Sequence, residues 1–404
     1  MKHINGGVCA PKGFMAAGIH SGIKHNPKKN DLAVIVSEKP CSVAATFTTN
    51  KVKAAPLYVN MEHIKNKTAQ MIIANSGNAN ACAPYGKENA EKMCQLAADN
   101  FGVDFDDVLV ASTGVIGVTL DVAPIENAVP KLKELLSQDG SDMAATAIMT
   151  TDTYKKEISI ETEIGGKTVK LGAIAKGSGM IHPNMGTMLS FITTDCNVSS
   201  EVLEKLHKEI VKKTYNRVSV DGDTSTNDMC IVMANGMAEN EEIASEGEAY
   251  DKLKEALFYI NTYLARQIAR DGEGSTRLVS CTVKNAKTEE KAEILAKSVA
   301  SSSLVKTAMF GSDANWGRVI CAMGYSGAEF DPAKTDISFC SSEGEILVCK
   351  DGVGLAFDEE LAKKILLSDE VIILADIKEG EESVTAWGCD LTYDYVKING
   401  DYRS

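Results

Sequence analysis

The alternation of apolar and polar residues predicts a mixed series of strands and helices. Runs of β-branched and apolar residues bounded by turn residues predict strands. In the first half of the chain these runs are 31–38, 42–50, 70–82, 107–112, 155–164 and 167–175. Apolar residues recurring every three to four positions predict amphipathic helices. The predicted helices are 86–100, 124–136, 202–213 and 248–270.

From about Leu278 the pattern predicts a strand, one helix over 289–308, two strands, a short helix and a further strand. A β-rich tail punctuated by turns is expected to close at Ser404. Hairpins occur among the strands, so a pure βαβ series does not fit. We therefore expect an α+β fold in which helices layer over antiparallel or mixed sheets.

Composition narrows the class of protein. A chain of 404 residues with 44% apolar residues can bury a core and divides into two or three sub-structures. The net charge of −14 disfavours nucleic acid and anionic membranes as partners. Eleven scattered cysteines show no C-x-x-C pair, which argues against a metal centre or a disulfide framework. A soluble, cytoplasmic protein that acts on small molecules is expected.

The central stretch 176–196 holds the strongest candidate for chemistry. Thr187 stands where a glycine-rich turn meets the apolar run 189–192. Gly186 has no side chain, so the peptide carbonyl directly before Thr187 is open to attack. A threonine that becomes a chain terminus can use its own α-amino group as base. A cut between Gly186 and Thr187 would therefore create nucleophile and base together. The alternative is an ordinary loop-to-strand junction.

Other residues offer supporting chemistry, each with a plainer reading beside it. Thr113 and Gly114 could stabilise an oxyanion or form only a tight turn. Glu273, between two glycines, could face a pocket or end a helix in solvent. Lys176 could pair with a substrate carboxylate or remain solvated. The polar loop 221–228 lacks the spacing of an EF-hand, so no metal is assigned to it.

Several long motifs resemble the ornithine acetyltransferase family, also called glutamate N-acetyltransferase or bifunctional arginine biosynthesis protein. They are KGSGMIHPNMGTML at 176–189, STGVIG at 112–117, RDGEGSTR at 270–277, VDGDTSTND at 220–228, FGSDANWGR at 310–318 and YVKINGDYRS at 395–404. The resemblance implies an αββα-type sandwich like that of the aminopeptidase DmpA group, with a smaller α+β subdomain at about 280–390. It also implies self-cleavage into an α chain, 1–186, and a β chain, 187–404, assembled as an α2β2 heterotetramer.

The resemblance further implies roles for individual residues. Thr187 would be the nucleophile, and Thr113 with Gly114 would form the oxyanion hole. Substrate-binding positions would be Thr150, Lys176, Thr187, Glu273, Asn399 and Ser404. The implied reaction moves an acetyl group from N2-acetyl-L-ornithine to L-glutamate in arginine biosynthesis, through an acetylated Thr187 and without a cofactor.

Three alternatives stay open from the sequence. A bifunctional enzyme would also accept acetyl-CoA as donor. An aminopeptidase or amidase of the same architecture would pass the acyl group to water, and a non-catalytic binding protein would stay uncut. Two departures from the family pattern, Gly186 before the nucleophile and His182 nearby, could alter cleavage speed and pH dependence.

Overall fold

The computed structural model of the chain describes residues 1–182 and 188–401. Within them the chain forms two mixed sheets flanked by helices. In chain order the strands are β1 Lys2–His3, β2 Phe14–Ile19, β3 Leu32–Phe47, β4 Thr68–Asn78, β5 Val108–Val115, β6 Lys156–Ile164, β7 Lys167–Lys176, β8 Leu189–Thr194, β9 Val218–Ser219, β10 Met229–Ala234, β11 Leu278–Ala286, β12 Asp336–Ser341, β13 Gly344–Lys350, β14 Val353–Gly354, β15 Glu370–Asp376 and β16 Glu382–Cys389.

The helices lie between the strands. They are α1 Ala55–His63, α2 Gly86–Phe101, α3 Ala123–Leu135, α4 Ser141–Ala147, α5 Ser200–Lys213, α6 Glu248–Arg270, α7 Glu289–Ser301, α8 Ser303–Phe310, α9 Trp316–Gly324, α10 Glu359–Leu366 and α11 Tyr393–Gly400. All four amphipathic helices predicted in the first 270 residues are present within two residues of their expected ends. The layered α+β class is confirmed.

The larger sheet has nine strands, in the order β1-β6-β7-β8-β10-β3-β4-β5, with β2 paired to β3. Its central strands β8 and β10 are parallel to each other, and both are buried at every position. Successive side chains along a strand point to opposite faces, so a strand buried throughout must be covered on both sides. In β10, Cys230 and Val232 join the core under α5 and α6, whereas Met229 and Ile231 join the core that includes α4.

The register of the central strands brings three chain segments to one row. Leu189, the first residue of β8, is paired with Lys176 at the end of β7 and with Met229 at the start of β10. The row lies at one end of the sheet. Lys176, which precedes residues 183–187, and Leu189, which follows them, are therefore neighbours in the sheet.

The smaller sheet has seven strands, in the order β14-β13-β12-β15-β11-β16-β9. Its core also takes in apolar residues of α7, α8, α9 and α10. The long helix α6 packs on β6 and β7 of the larger sheet and on β11 and β16 of the smaller one. It ends at Arg270, so the loop that follows emerges where the two sheets meet.

Strand β3 differs from the prediction of two strands at 31–38 and 42–50. The chain continues as one strand, and its register against β4 shifts between Val36 and Cys41. The intervening run includes Pro40, which lacks an N–H to donate to a ladder and is suited to a bulge. The polar run bends the strand instead of ending it.

The single helix predicted at 289–308 is wrong. The chain breaks at Ser302, whose backbone is extended and whose hydroxyl accepts a hydrogen bond from the Val305 N–H. Serine is a preferred N-cap because its side chain satisfies an N–H that the new helix leaves free. Ser302 therefore ends α7 and starts α8.

The β-rich tail predicted to close the chain is also wrong, because β16 is followed by helix α11. The Thr392 hydroxyl, just before α11, donates to the Gly274 carbonyl at 2.6 Å. This tertiary contact sets the start of the helix. Across the described part of the chain, no helix combines the length and apolar character needed to span a membrane.

Removing one buried ring tests the central strand. Phe191 in β8 is 1% exposed. Phe191→Ala is expected to lower the free energy of unfolding by about 3–5 kcal/mol, because it loses apolar burial and leaves a cavity. Phe258→Ala on the outer side of α6, where the ring is 39% exposed, is the control and should cost at most about 1 kcal/mol. Urea unfolding measures both, and equal losses would contradict the assigned core.

Candidate active site

A cavity of about 380 Å³ opens beside the end of β7 and the start of β8. Several separate chain segments line it. They are 113–116, 150–151, Lys176, 179–180, 188–189, 225–228, Glu273 and Asn399. The volume is at the lower end of the range for small-molecule sites, which suits a ligand of amino-acid size.

Six of the residues singled out from the sequence meet at this cavity. They are Thr113, Gly114, Thr150, Lys176, Glu273 and Asn399. Gly186, Thr187 and Ser404 lie outside the described residues. Met188, which the chain joins directly to Thr187, is part of the cavity wall.

The Thr113–Gly114 pair lies near the end of β5, where it faces Ser76 and Gly77 of β4. Gly114 has φ +135°, and a Cβ at this position would lie 2.3 Å from the Gly77 carbonyl carbon. Only glycine fits so close a backbone approach. Thr113 and Gly114 thus lie within strand β5 and on the cavity wall, and the tight turn considered as the alternative is not what the structure shows at this pair.

Lys176 is buried rather than solvated. Its Nζ lies 3.5 Å from the Thr113 Oγ1 and 4.0 Å from the Asp152 Oδ2. Burial lowers the pKa of the Lys176 ammonium, while the nearby Asp152 carboxylate opposes that shift. An ammonium with few water contacts binds a substrate carboxylate more strongly than a solvated one does.

A buried ion network stands behind Lys176. The Lys156 ammonium, with a fully buried side chain, lies 2.7 Å from Asp152 and 2.6 Å from Asp271. Asp152 also accepts hydrogen bonds from the backbone N–H groups of Thr150 and Gly177, at 3.0 and 2.7 Å. The network therefore fixes two cavity-lining segments.

The pKa of Asp152 reflects these contacts. Burial alone would raise it, but the Lys156 and Lys176 ammonium groups and the donated hydrogen bonds outweigh burial. The pKa of this carboxyl therefore lies well below its usual value. Sequence reasoning missed Asp152, Lys156 and Asp271, because Lys156 and Asp271 are 115 positions apart and each alone resembles a surface charge.

Glu273 faces the cavity from the loop after α6. Its backbone N–H donates to the Ser178 carbonyl at 3.0 Å, and its carboxylate accepts a hydrogen bond from the Asn399 side chain at 2.8 Å. A Cβ on Gly179 would lie 2.3 Å from the same carboxylate. The side chain is thus held by α11 on one side and by the glycine-rich stretch on the other.

His182 lies before the residues that are not described. Its Nδ1 is 3.0 Å from the Ser219 Oγ, and burial lowers its pKa from the ordinary value. Burial therefore favours the neutral form of this imidazole.

A second cavity, of about 540 Å³, adjoins the first. Residues 114–115 and 150–151 line both. Its other walls include Lys24, His25 and Lys29. Burial lowers the pKa of Lys24 to about 8, and the Lys24 amine donates to the carbonyls of Asn30 and Met149.

With this geometry in view, comparison with known proteins decides the family. Residues 15–404 match the sequence profile of the ArgJ family. The chain belongs to the ArgJ family. The match covers the whole smaller sheet, the larger sheet except β1 and the first residue of β2, and all the described segments around the cavity.

Relatives in the ArgJ family align over almost their whole length. An "Arginine biosynthesis bifunctional protein ArgJ 1" of Clostridium acetobutylicum is 53% identical, over 97% of this chain and 96% of the relative. A "Glutamate N-acetyltransferase" of Methanocaldococcus jannaschii is 47% identical, with complete coverage of both. A crystal structure of the bifunctional protein argJ from Bacillus halodurans is 46% identical, covers 54% of this chain and 100% of its own, and has a TM-score of 0.51.

The ion network predicts a pH-dependent loss of stability. Asp152→Asn is expected to lower the free energy of unfolding at pH 7 by about 3–5 kcal/mol, because it leaves buried ammonium groups without their partner. Because the pKa of Asp152 is depressed in the folded state, its contribution is complete above the unfolded pKa of about 3.9 and is lost as pH falls further. Urea unfolding at several pH values measures the difference.

Asp142→Asn is the matched control, since Asp142 pairs with Lys155 at the surface and its side chain is 62% exposed. It should change stability by no more than about 0.5 kcal/mol. A difference between the wild type and Asp152→Asn that stays constant below pH 4 would contradict the network.

Proposed function

We propose that this ArgJ-family chain is a cytoplasmic enzyme of arginine biosynthesis that moves an acetyl group from N2-acetyl-L-ornithine to L-glutamate. The observation that carries the proposal is the shared cavity, which brings Thr113, Gly114, Lys176 and Glu273 together beside Met188. A buried ammonium and a buried carboxylate in one pocket suit a ligand that carries both a carboxylate and an amine. The names of relatives support the same reaction.

Self-cleavage prepares the nucleophile. The Thr187 Oγ attacks the Gly186 carbonyl carbon, the amide C–N bond breaks, and the amide nitrogen becomes the α-amino group of Thr187. Water then hydrolyses the resulting ester, which frees the Gly186 carboxylate and the Thr187 hydroxyl. The products are fragments of 186 and 218 residues.

Acetyl transfer then proceeds in two half-reactions. The Thr187 α-amino group takes the hydroxyl proton, and Oγ attacks the acetyl carbonyl of acetylornithine. The Thr113 hydroxyl and the Gly114 N–H donate to the developing oxyanion, and each donor lowers the barrier by roughly 3–4 kcal/mol. Ornithine leaves with the proton held by the Thr187 α-amino group. The amine of glutamate then attacks the acetyl-Thr187 ester, the ester C–O bond breaks, and the proton lost by the amine returns to the Thr187 hydroxyl as N-acetyl-L-glutamate leaves.

Substrate groups are assigned by charge. Lys176 binds a carboxylate, and Glu273, held by Asn399, receives the amine of ornithine or glutamate. Thr150 and Ser404 complete the binding positions that we propose. The reaction needs no bound cofactor.

The two fragments are expected to remain together. The first would carry β1 to β7 and the second β8 onward, yet β8 and β10 stand between β7 and β3 in one sheet. Separation would break the β7–β8 and β10–β3 ladders and expose buried strands. We propose that two such pairs form an α2β2 heterotetramer.

Removing the nucleophile tests both activities. Thr187→Ala is expected to give one intact chain with no acetyl transfer, because it lacks the attacking hydroxyl; Thr187→Ser should cleave slowly. Denaturing intact-mass analysis and an acetylornithine–glutamate assay are the measurements, with Thr307→Ala at an exposed position as control. Efficient cleavage or transfer by Thr187→Ala would contradict the mechanism. Release of acetate in place of acetylglutamate by the wild type would favour the amidase alternative.

The second cavity favours one further candidate function, the use of acetyl-CoA as an additional donor. It meets the first cavity at Gly114, and its rim carries the basic residues Lys24, His25 and Lys29. A phosphate-bearing donor could place its anionic groups there and its acetyl group beside Thr113.

Charge reversal at the rim tests this second donor. Lys29→Glu is expected to lower kcat/KM for acetyl-CoA about tenfold, a loss of roughly 1.4 kcal/mol of binding, because a carboxylate repels phosphate. The rate with acetylornithine should change much less. Acetyl-CoA-dependent synthesis of acetylglutamate is the assay, with Lys334→Glu on another exposed surface as control. Equal effects of the two variants, or no use of acetyl-CoA by the wild type, would contradict this candidate.

A further inference from the structure

The loop over residues 220–228 connects β9 of the smaller sheet with β10 of the larger one. It contains the polar run 221–228, to which the sequence assigned no metal. Its contacts give it a different role. The loop holds described residues before the proposed cleavage bond, and the residue that directly follows the loop, at the start of β10, holds Met188 after that bond.

On the upstream side the 220–228 loop binds three consecutive residues. The Asp221 carboxylate accepts hydrogen bonds from the backbone N–H groups of Met180 and Ile181, at 2.6 and 2.9 Å. The Val220 N–H donates to the Ile181 carbonyl at 2.6 Å, and the Thr224 hydroxyl donates to the His182 carbonyl at 2.8 Å. The backbone of 180–182 is thus fixed like an added strand.

Met180 adopts an unfavourable conformation in this stretch. Its φ is +57°, in the left-handed region that residues with a Cβ rarely occupy. Its N–H is one of the two groups that Asp221 binds. The carboxylate therefore stabilises a turn that the methionine side chain would not select by itself.

On the downstream side Met188 is held by the first residue of β10, which directly follows the 220–228 loop. The Met229 N–H, at the start of β10, donates to the Met188 carbonyl at 2.9 Å. One continuous stretch, from Val220 to Met229, therefore contacts the chain both before and after residues 183–187.

The 220–228 loop also reaches the proposed oxyanion donors. The Asn227 side-chain amide donates to the Ser112 carbonyl at 2.7 Å and to the Ala79 carbonyl at 2.6 Å. Ser112 immediately precedes Thr113. The flanks of the scissile bond and the oxyanion donors are thus fixed against the same loop.

The 220–228 loop is itself anchored to the segment that connects β3 with α1. The Thr48 hydroxyl donates to the Ser225 carbonyl, and the Asn50 side chain donates to the Thr224 carbonyl, both at 2.9 Å. The Ala54 N–H donates to the Thr226 carbonyl at the same distance. Such a loop can transmit a fixed geometry to the residues it holds.

We propose that Asp221 is a positioning residue for self-cleavage, which acts by holding the left-handed turn at Met180 upstream of the scissile bond. The inference rests on the proposed cleavage between Gly186 and Thr187. Attack on a peptide carbonyl requires the hydroxyl and the carbonyl carbon within a narrow range of distance and angle. Fixing the backbone at Met180 and at Met188 fixes the positions from which the chain approaches the scissile bond, so losing the contact at Met180 is expected to slow the attack.

Neutralising Asp221 tests this role. Asp221→Asn keeps the shape of the side chain but replaces one acceptor oxygen with a donor, so it can no longer accept from both backbone N–H groups. The intact mass of the chain is followed over time, starting as soon as the protein has been purified. Asp221→Asn is expected to slow cleavage at least about tenfold. Asp223→Asn, which removes an exposed charge from the same loop, should cleave at the wild-type rate.

A second substitution separates positioning from a general loss of stability. Glycine adopts left-handed angles freely, so Met180→Gly placed in the Asp221→Asn background should restore part of the cleavage rate. Because glycine at this position also relieves strain in the folded state, urea unfolding of the same variants is measured in parallel, and positioning predicts slow cleavage by Asp221→Asn under conditions in which that variant is fully folded. Thr224→Val removes the hydroxyl that binds the His182 carbonyl. It is an independent test of the contact between the 220–228 loop and residues 180–182, and it should also slow cleavage.

The outcomes are distinct. Asp221→Asn and Asp223→Asn cleaving at equal rates would overturn the proposal, and so would a double variant no faster than Asp221→Asn alone. A wild-type chain that stays intact under the same conditions would contradict the proposed cleavage itself. Cleavage of the wild type with slow cleavage of Asp221→Asn and recovery by Met180→Gly would support both.

Discussion

The pairing of Leu189 with Lys176 on one side and Met229 on the other is the constraint on which the site depends. It places the strand that follows residues 183–187 between the strand that ends in the buried ammonium and the strand that begins after the 220–228 loop. The cavity opens at this row because the register brings three distant segments to one end of the sheet. A shift of one residue would turn every side chain of β8 to the opposite face.

Charge burial gives the site a stability cost that the fold must offset. Lys156 and Lys176 face Asp152 and Asp271 in a region with little water, so each ion depends on its partners for the solvation it has lost. The arrangement also orients backbone N–H groups of the cavity wall, which apolar residues could not do. The Asp152 carboxylate of this network opposes the effect of burial on the pKa of Lys176, and it also accepts the hydrogen bond from the Gly177 N–H in the glycine-rich stretch.

Local sequence patterns predicted the elements that depend on local forces. Helix α6 has the predicted bounds, because its apolar stripe and its ends are both encoded nearby. The patterns failed at three places. Pro40 lies within one strand with an irregular register, the local N-cap at Ser302 divides a helix, and α11 begins after Thr392, whose hydroxyl binds the distant Gly274 carbonyl. In the site, motifs identified most of the cavity residues. The pair of Lys156 with Asp271 could not be found, because an ion pair between distant segments leaves no periodic pattern.

The proposed mechanism requires Thr187 to carry the acetyl group between donor and acceptor. The most direct measurement is mass spectrometry of the cleaved protein, mixed with N2-acetyl-L-ornithine, quenched in acid and digested. The proposed mechanism predicts one added acetyl group on the peptide that begins at Thr187. It also predicts that this group is lost when L-glutamate is added before the quench. The mechanism would be contradicted if acetyl transfer to glutamate proceeded with no acetyl group on Thr187, or with the acetyl group on another residue.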